Sequence, residues 1–192
     1  MKYLLIIIAA FFMAVSAQAQ TDIRLGLPYA IPAGAYEHDY KLSSSIGIVE
    51  IEASTLLMNK LWLGITYGLT SYESDKQSWS EYIEYDPKPA QHNHINMFAA
   101  YRHNTDNPFS PYGGLLLGYG TFSHEADVDF LGGYTQKTEN SDISVGLMAG
   151  TLYKITNVFN IDLRFRFQGY AGDLKGFSQI AIRLGAGYTI LP

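Results

Sequence analysis

Two phases of side chains run through this sequence, and one of them carries no charge. Between 159 and 168, Phe159, Ile161, Leu163, Phe165 and Phe167 alternate with Asn160, Asp162, Arg164, Arg166 and Gln168. Between 180 and 190, Ile180, Ile182, Leu184, Ala186, Tyr188 and Ile190 alternate with Ala181, Arg183, Gly185, Gly187 and Thr189. Successive side chains of a strand point to opposite faces, so each stretch is a strand with one apolar face and one polar or small face. Helical periodicity is nearly absent from the rest of the chain. Eight alternating runs fall near 22–31, 42–55, 61–71, 92–103, 111–124, 141–153, 158–170 and 177–190. Each is about as long as a tilted strand needs to cross a bilayer, roughly 9–11 residues.

The apolar phase continues through Ile23, Leu25, Leu27, Tyr29 and Ile31, then Val49, Ile51 and Ala53, then Leu61, Leu63, Ile65, Tyr67 and Leu69. Ile95, Met97, Ala99 and Tyr101, Leu115, Leu117 and Tyr119, and Ile143, Val145, Leu147, Ala149 and Tyr153 extend it. The opposite phase holds Arg24, Glu50, Glu52, Arg102, Asp162, Arg164, Arg166 and Arg183, together with many glycines. Alternation alone does not say which phase is inside. A soluble lipocalin-like barrel turns its apolar face inward, and a membrane barrel turns it outward. Three features select the membrane version. Lipid demands a face free of charge. Small residues make room inside a narrow barrel for long charged chains. Aromatics gather near strand ends, with Tyr101, Tyr153, Phe159 and Tyr188 at one level and Tyr29 and Phe167 toward the other, as interfacial girdles do. The expected fold is therefore all-β, an eight-stranded antiparallel up-and-down transmembrane β-barrel.

The connections alternate in length. Those after the second, fourth and sixth strands are short, while 32–41, 72–91 and 125–140 are long and 171–176 is intermediate. Barrels of outer membranes have short periplasmic turns and long outward loops, so an even strand number puts both termini in the periplasm. Residues 1–19 read as a signal peptide: Lys2, an apolar stretch from Tyr3 to Val15, and the small-x-small site Ala17-Gln18-Ala19. That apolar stretch is shorter than the roughly 20 residues of a membrane helix. The barrel domain then occupies 20–192. Without Lys2 it carries 12 basic and 18 acidic residues, a net charge of −6. Such a balance is the opposite of a nucleic-acid surface. The absence of cysteine excludes thiolate metal sites, disulfides and a cysteine nucleophile.

The runs Pro111-Tyr112-Gly113-Gly114 into Leu117-Gly118-Tyr119-Gly120, Asn160-Ile161-Asp162-Leu163-Arg164, and Arg183-Leu184-Gly185-Ala186-Gly187-Tyr188 carry a resemblance. In these the chain resembles the OmpA/OmpX-like outer-membrane β-barrel superfamily over nearly the whole of 20–192. The resemblance implies residence in the outer membrane among its lipids and lipopolysaccharide, with insertion by the barrel-assembly machinery. It covers anchors, adhesins, defence proteins and a few enzymes, and so leaves the function open.

Hairpin register places the candidate groups. A first loop centred near 37 sets Arg24 opposite Glu50, and a last loop centred near 173 or 174 sets Arg164 beside Arg183. Arg24, Glu50, Glu52, Asp162, Arg164, Arg166 and Arg183 then gather in the lumen, where buried guanidinium groups need carboxylate partners. Eight strands enclose only enough room for side chains, so a salt-bridged plug is expected, with a narrow porin-like channel as the alternative. His92, His94 and His124 share the lumen phase near the outer mouth. With Asp127, Asp129 and His38 they have the chemistry for Zn or Ni, although polar rim residues are the plainer reading. Ser123 and His124 are neighbours on opposite faces and make no nucleophile–base pair. No phosphate loop, HExxH or nucleotide fingerprint is present, and no enzyme activity or cofactor is expected. The 72–91 connection interleaves Trp79, Tyr82 and Tyr85 with acidic residues, which suits binding of an external ligand. It also reads as a raised hairpin with a strand over 78–85 and a return over 86–89.

Overall fold

The computed structural model describes residues 20–33, 42–57, 60–74, 77–80, 83–103, 106–129, 134–174 and 176–190. Eight long antiparallel strands form the barrel: β1 (Gln20–Ala33), β3 (Val49–Leu57), β4 (Leu61–Tyr72), β7 (Ala90–Arg102), β8 (Phe109–Asp129), β9 (Tyr134–Lys154), β10 (Phe159–Tyr170) and β11 (Ser178–Ile190). Each pairs with its sequence neighbours, and β1 closes on β11. Stepping across the register from Ile180 through Phe167, Leu147, Leu115, Ala99, Leu63, Thr55 and Thr21 returns to Ile190, ten residues along β11. A stagger of this size in eight strands tilts them by about 40° and leaves an interior that side chains fill. The apolar phase faces outward, with Leu25, Leu27, Leu115, Val145, Leu147 and Leu184 all more than half exposed. The charged phase is buried inside.

The expected second strand over 42–55 is interrupted. Leu42 makes an isolated bridge to Ser74, the short β2 (Ser45–Ile46) pairs with β1, and β3 begins only at Val49. The cause lies in β1. Pro28 has no N–H to offer the ladder, and its carbonyl is taken by the Gly47 amide at 2.6 Å. A β-carbon on Gly47 would run into the Pro28 ring, so glycine is what allows this approach.

Two of the long connections hold strands. β8 and β9 each run 21 residues and pair up to Val128↔Tyr134, so most of 125–140 continues the wall above the membrane. The 72–91 connection holds a hairpin, β5 (Gln77–Ser80) and β6 (Ile83–Pro87), whose second strand pairs with the top of β8. β5 ends at Ser80 and β6 begins at Ile83, so the single strand expected over 78–85 is instead the two arms of a hairpin, and its expected return over 86–89 falls partly within β6. The result is a raised sheet, β5-β6-β8-β9, standing on one side of the barrel.

Candidate functional site

The lumen is divided lengthwise into two walls. Strands β1, β3, β10 and β11 supply the charged one. Glu52 is at its centre, its carboxylate 2.7 Å from Arg24 Nη1, Arg164 Nη2 and Arg183 Nη1. Arg24 also donates to Asp22 (2.5 Å), Ser54 (2.9 Å) and Asn160 (3.0 Å). Glu50 accepts from Arg166 at 2.6 Å and lies 3.2 Å from Arg183 and 3.5 Å from His94 Nε2. Asp162 accepts from the Tyr112 hydroxyl at 2.5 Å and pairs with Arg164 and Arg183 at 3.3 and 3.5 Å. Four guanidinium groups (24, 164, 166, 183) thus face four carboxylates (22, 50, 52, 162). Space for these chains comes from glycine. A β-carbon at Gly26 would clash with the Arg183 side chain, and one at Gly68 with the His94 ring.

The register sharpens the hairpin expectation. Arg164 lies opposite Arg183. Arg24, however, faces Glu52, and Glu50 falls opposite Gly26. The first hairpin is offset by two residues, so both glutamates stay on the lumen face and only their partners change. Asp22, Asn160 and Tyr112 also join the network, beyond the seven charged residues expected there.

In its short-turn half the lumen face of β4, β7, β8 and β9 forms a second, largely apolar wall, while further along the same strands carry the buried Thr66, Thr70, His92, His94, Asn96 and Ser144. Trp62, Phe98, Tyr112, Leu116, Met148 and Leu152 are buried together there. The Trp62 ring packs edge-on against Phe98 and Tyr112, with centroids 5.2 and 4.8 Å away. Guanidinium carbons of Arg24 and Arg164 approach it to 4.6 and 5.4 Å. The two walls therefore meet through cation–π contact. Sequence reasoning missed this wall because it assigned the whole inner phase to charge and glycine. The signal was present where alternation lapses, as in Leu61-Trp62-Leu63, Met97-Phe98-Ala99, Leu115-Leu116-Leu117 and Leu147-Met148-Ala149.

An aromatic layer covers the long-loop end. Positive φ values of 58° at Gly172 and 96° at Gly176 let the last outward connection bend sharply. Leu174 and Phe177 turn inward and pack with Ala30, Leu42, Tyr72, Ala90, Phe122 and Tyr170. His92 and His94 sit beneath, stacked at 5.2 Å, and His92 Nε2 is 2.6 Å from the Tyr170 hydroxyl. Across the hairpin His92 faces Phe122, and His124 lies two residues beyond it. Among the described residues no group of three His, Asp or Glu side chains is arranged to hold a metal. His38 lies outside the described residues.

The raised sheet carries exposed ion pairs: Lys88 lies 3.5 Å from Asp127 and 4.0 Å from Glu125, and Lys137 lies 3.7 Å from Glu125. The Thr135 hydroxyl donates to Asp127 at 2.7 Å and, with help from Lys88, holds that carboxyl below the usual carboxylate range. Trp79 is on β5 and Tyr85 on β6. Tyr82 lies outside the described residues.

A closed barrel with an apolar exterior and a filled, charged interior is the architecture of a transmembrane β-barrel. The chain belongs to the outer membrane protein beta-barrel domain family, whose model matches residues 4–189. Solved structures agree in fold. Neisserial surface protein A superposes with a TM-score of 0.60 at 20% identity, covering 88% of this chain and 97% of that one. A major outer membrane protein of Thermus thermophilus gives 0.67 at 12% identity, covering 90% and 99%. Ail, the attachment invasion locus protein of Yersinia pestis, gives 0.58 at 18% identity, covering 90% and 99%, in a complex with the heparin analogue sucrose octasulfate. No protein of curated function matches the chain. Location in the outer membrane follows from the family.

Proposed function

We propose that this barrel is a non-enzymatic surface interaction protein, sealed along its axis and engaging partners through its raised sheet and outward connections. The observation that carries the reading is the continuity of the plug. Charged wall, apolar wall and aromatic cover follow one another with glutamine, histidine and tyrosine side chains bonded between them. The short turns then lie in the periplasm with both termini, and the long connections face outward among lipopolysaccharide.

The outward surface also suggests the partner's charge. The connections 32–41, 72–91, 125–140 and 171–176 hold twelve acidic and five basic residues. A polyanion such as the heparin analogue seen on Ail would be repelled, and a cationic protein or peptide attracted. Purified protein in planar bilayers is expected to show negligible steady conductance, and its proteoliposomes to retain polylysine but not heparin. Large stable channels would establish the narrow-pore reading instead, and heparin retention would overturn the charge assignment.

A further inference from the structure

The lumen network balances at four against four, and a fifth guanidinium is left over. Arg102 ends β7 at the short-turn mouth, on the lumen phase, and is fully buried. Its backbone is tied down, with the amide donating to the Lys60 carbonyl at 2.8 Å. Its side chain is not: Nε, Nη1 and Nη2 all lack a hydrogen-bond partner among the described residues. Its guanidinium carbon lies 5.9 Å from the centre of the Trp62 ring. The carboxylates that influence it are already engaged. Asp22 is bonded to Arg24 and Thr189, and Asp162 to Tyr112, with Arg164 and Arg183 beside it. Lys154, at the end of β9, adds a like charge near it.

A guanidinium never deprotonates in a protein, and one buried without acceptors is strongly unfavourable. The Trp62 indole N–H is likewise buried without an acceptor among the described residues. Together these are donors without an anion. We propose that the short-turn mouth binds a small monoanionic oxyanion, a carboxylate or a phosphodiester, through Arg102 with Trp62 and Lys154 beside it. One guanidinium without an acceptor suits a monoanion. A carboxylate would come from a peptide and a phosphodiester from a phospholipid head group.

The test uses residues 20–192 refolded in detergent, titrated with sodium acetate and separately with sodium dimethyl phosphate against sodium chloride at constant ionic strength. The readouts are the Arg102 Nε–H and Trp62 indole N–H resonances. A saturable shift of both is expected with at least one of the two anions. Arg102→Gln should abolish the Trp62 response, and Lys154→Gln should weaken apparent affinity about threefold to tenfold. A response to acetate alone assigns the site to carboxylates, and one to dimethyl phosphate alone to lipid head groups. No saturable shift with either anion, or an Arg102→Gln protein that responds as the wild type does, would overturn the proposal.

Discussion

The two walls of the lumen occupy similar space by opposite means. On β1, β3, β10 and β11 the filling is a counted set of charges in which every carboxylate contacts at least one guanidinium. On β4, β7, β8 and β9 it is an aromatic and aliphatic cluster around Trp62. An apolar wall tolerates any side chain of suitable volume. A charged wall depends on every member being present, because a lone buried charge is costly in a way that a lone methyl group is not. The contrast also gives the walls different roles. The apolar one fills the lumen, and the charged one fixes register, since sliding a strand by one residue would turn its charges toward lipid.

The strongest way to break this comparison is at Glu52. Glu52→Gln leaves Arg24, Arg164 and Arg183 sharing too few carboxylates, and the expected loss is about 3–5 kcal/mol, read from urea unfolding in phospholipid vesicles. An unchanged midpoint would mean that the charged wall contributes no more than surface ion pairs do. The matching cut on the other side is Leu116→Ala. Leu116 is buried in the apolar cluster. Its truncation is expected to cost about 3 kcal/mol, with no change in bilayer conductance while the charged wall stays intact.

A double substitution sharpens the same point. Glu52→Gln with Arg183→Met leaves three guanidinium groups facing three carboxylates, at positions 24, 164 and 166 against 22, 50 and 162. Balance is restored, so the double variant should recover about 1–2 kcal/mol over Glu52→Gln alone, the size of coupling found between contacting groups. If the two losses simply add, the network is a set of independent pairs and the counting fails.

Much of this arrangement was legible in the sequence, for reasons that differ between the walls. Eight strands, their outward apolar phase and the inward guanidinium and carboxylate groups follow from a period-2 pattern that lipid enforces strictly. Arg164 could be placed opposite Arg183 because the 171–176 connection is shorter than the other three on its side. The pairing of Arg24 could be placed only to within two residues, because the first hairpin spans a longer loop and an interruption at Pro28 and Gly47. The apolar wall was hidden for another reason. A lumen phase can be polar or apolar without penalty, so Trp62, Phe98 and Leu116 read as lapses of alternation rather than as a surface. The raised sheet was ambiguous because lipid enforces no pattern beyond the membrane, and residues 135–139 of β9 are mostly exposed.

That sheet gives the comparison its control in water. Asp127 is exposed and still holds a lowered pKa, chiefly because the Thr135 hydroxyl donates to it, with Lys88 near. The folded-state value lies below the unfolded one. Any stability it contributes is therefore present above the ordinary aspartate range, near about 3.9, and is lost as pH falls through the lower folded value. Thr135→Val removes the donor and should move the Asp127 carboxyl back toward its ordinary value, followed by the side-chain carboxyl carbon in an NMR titration. The urea midpoint at neutral pH should stay within experimental error, because solvent screens exposed pairs and they add little stability. A midpoint drop approaching that of Glu52→Gln would show that the charges outside the membrane stabilise the fold as strongly as those within it. The distinction between the walls would then owe nothing to burial.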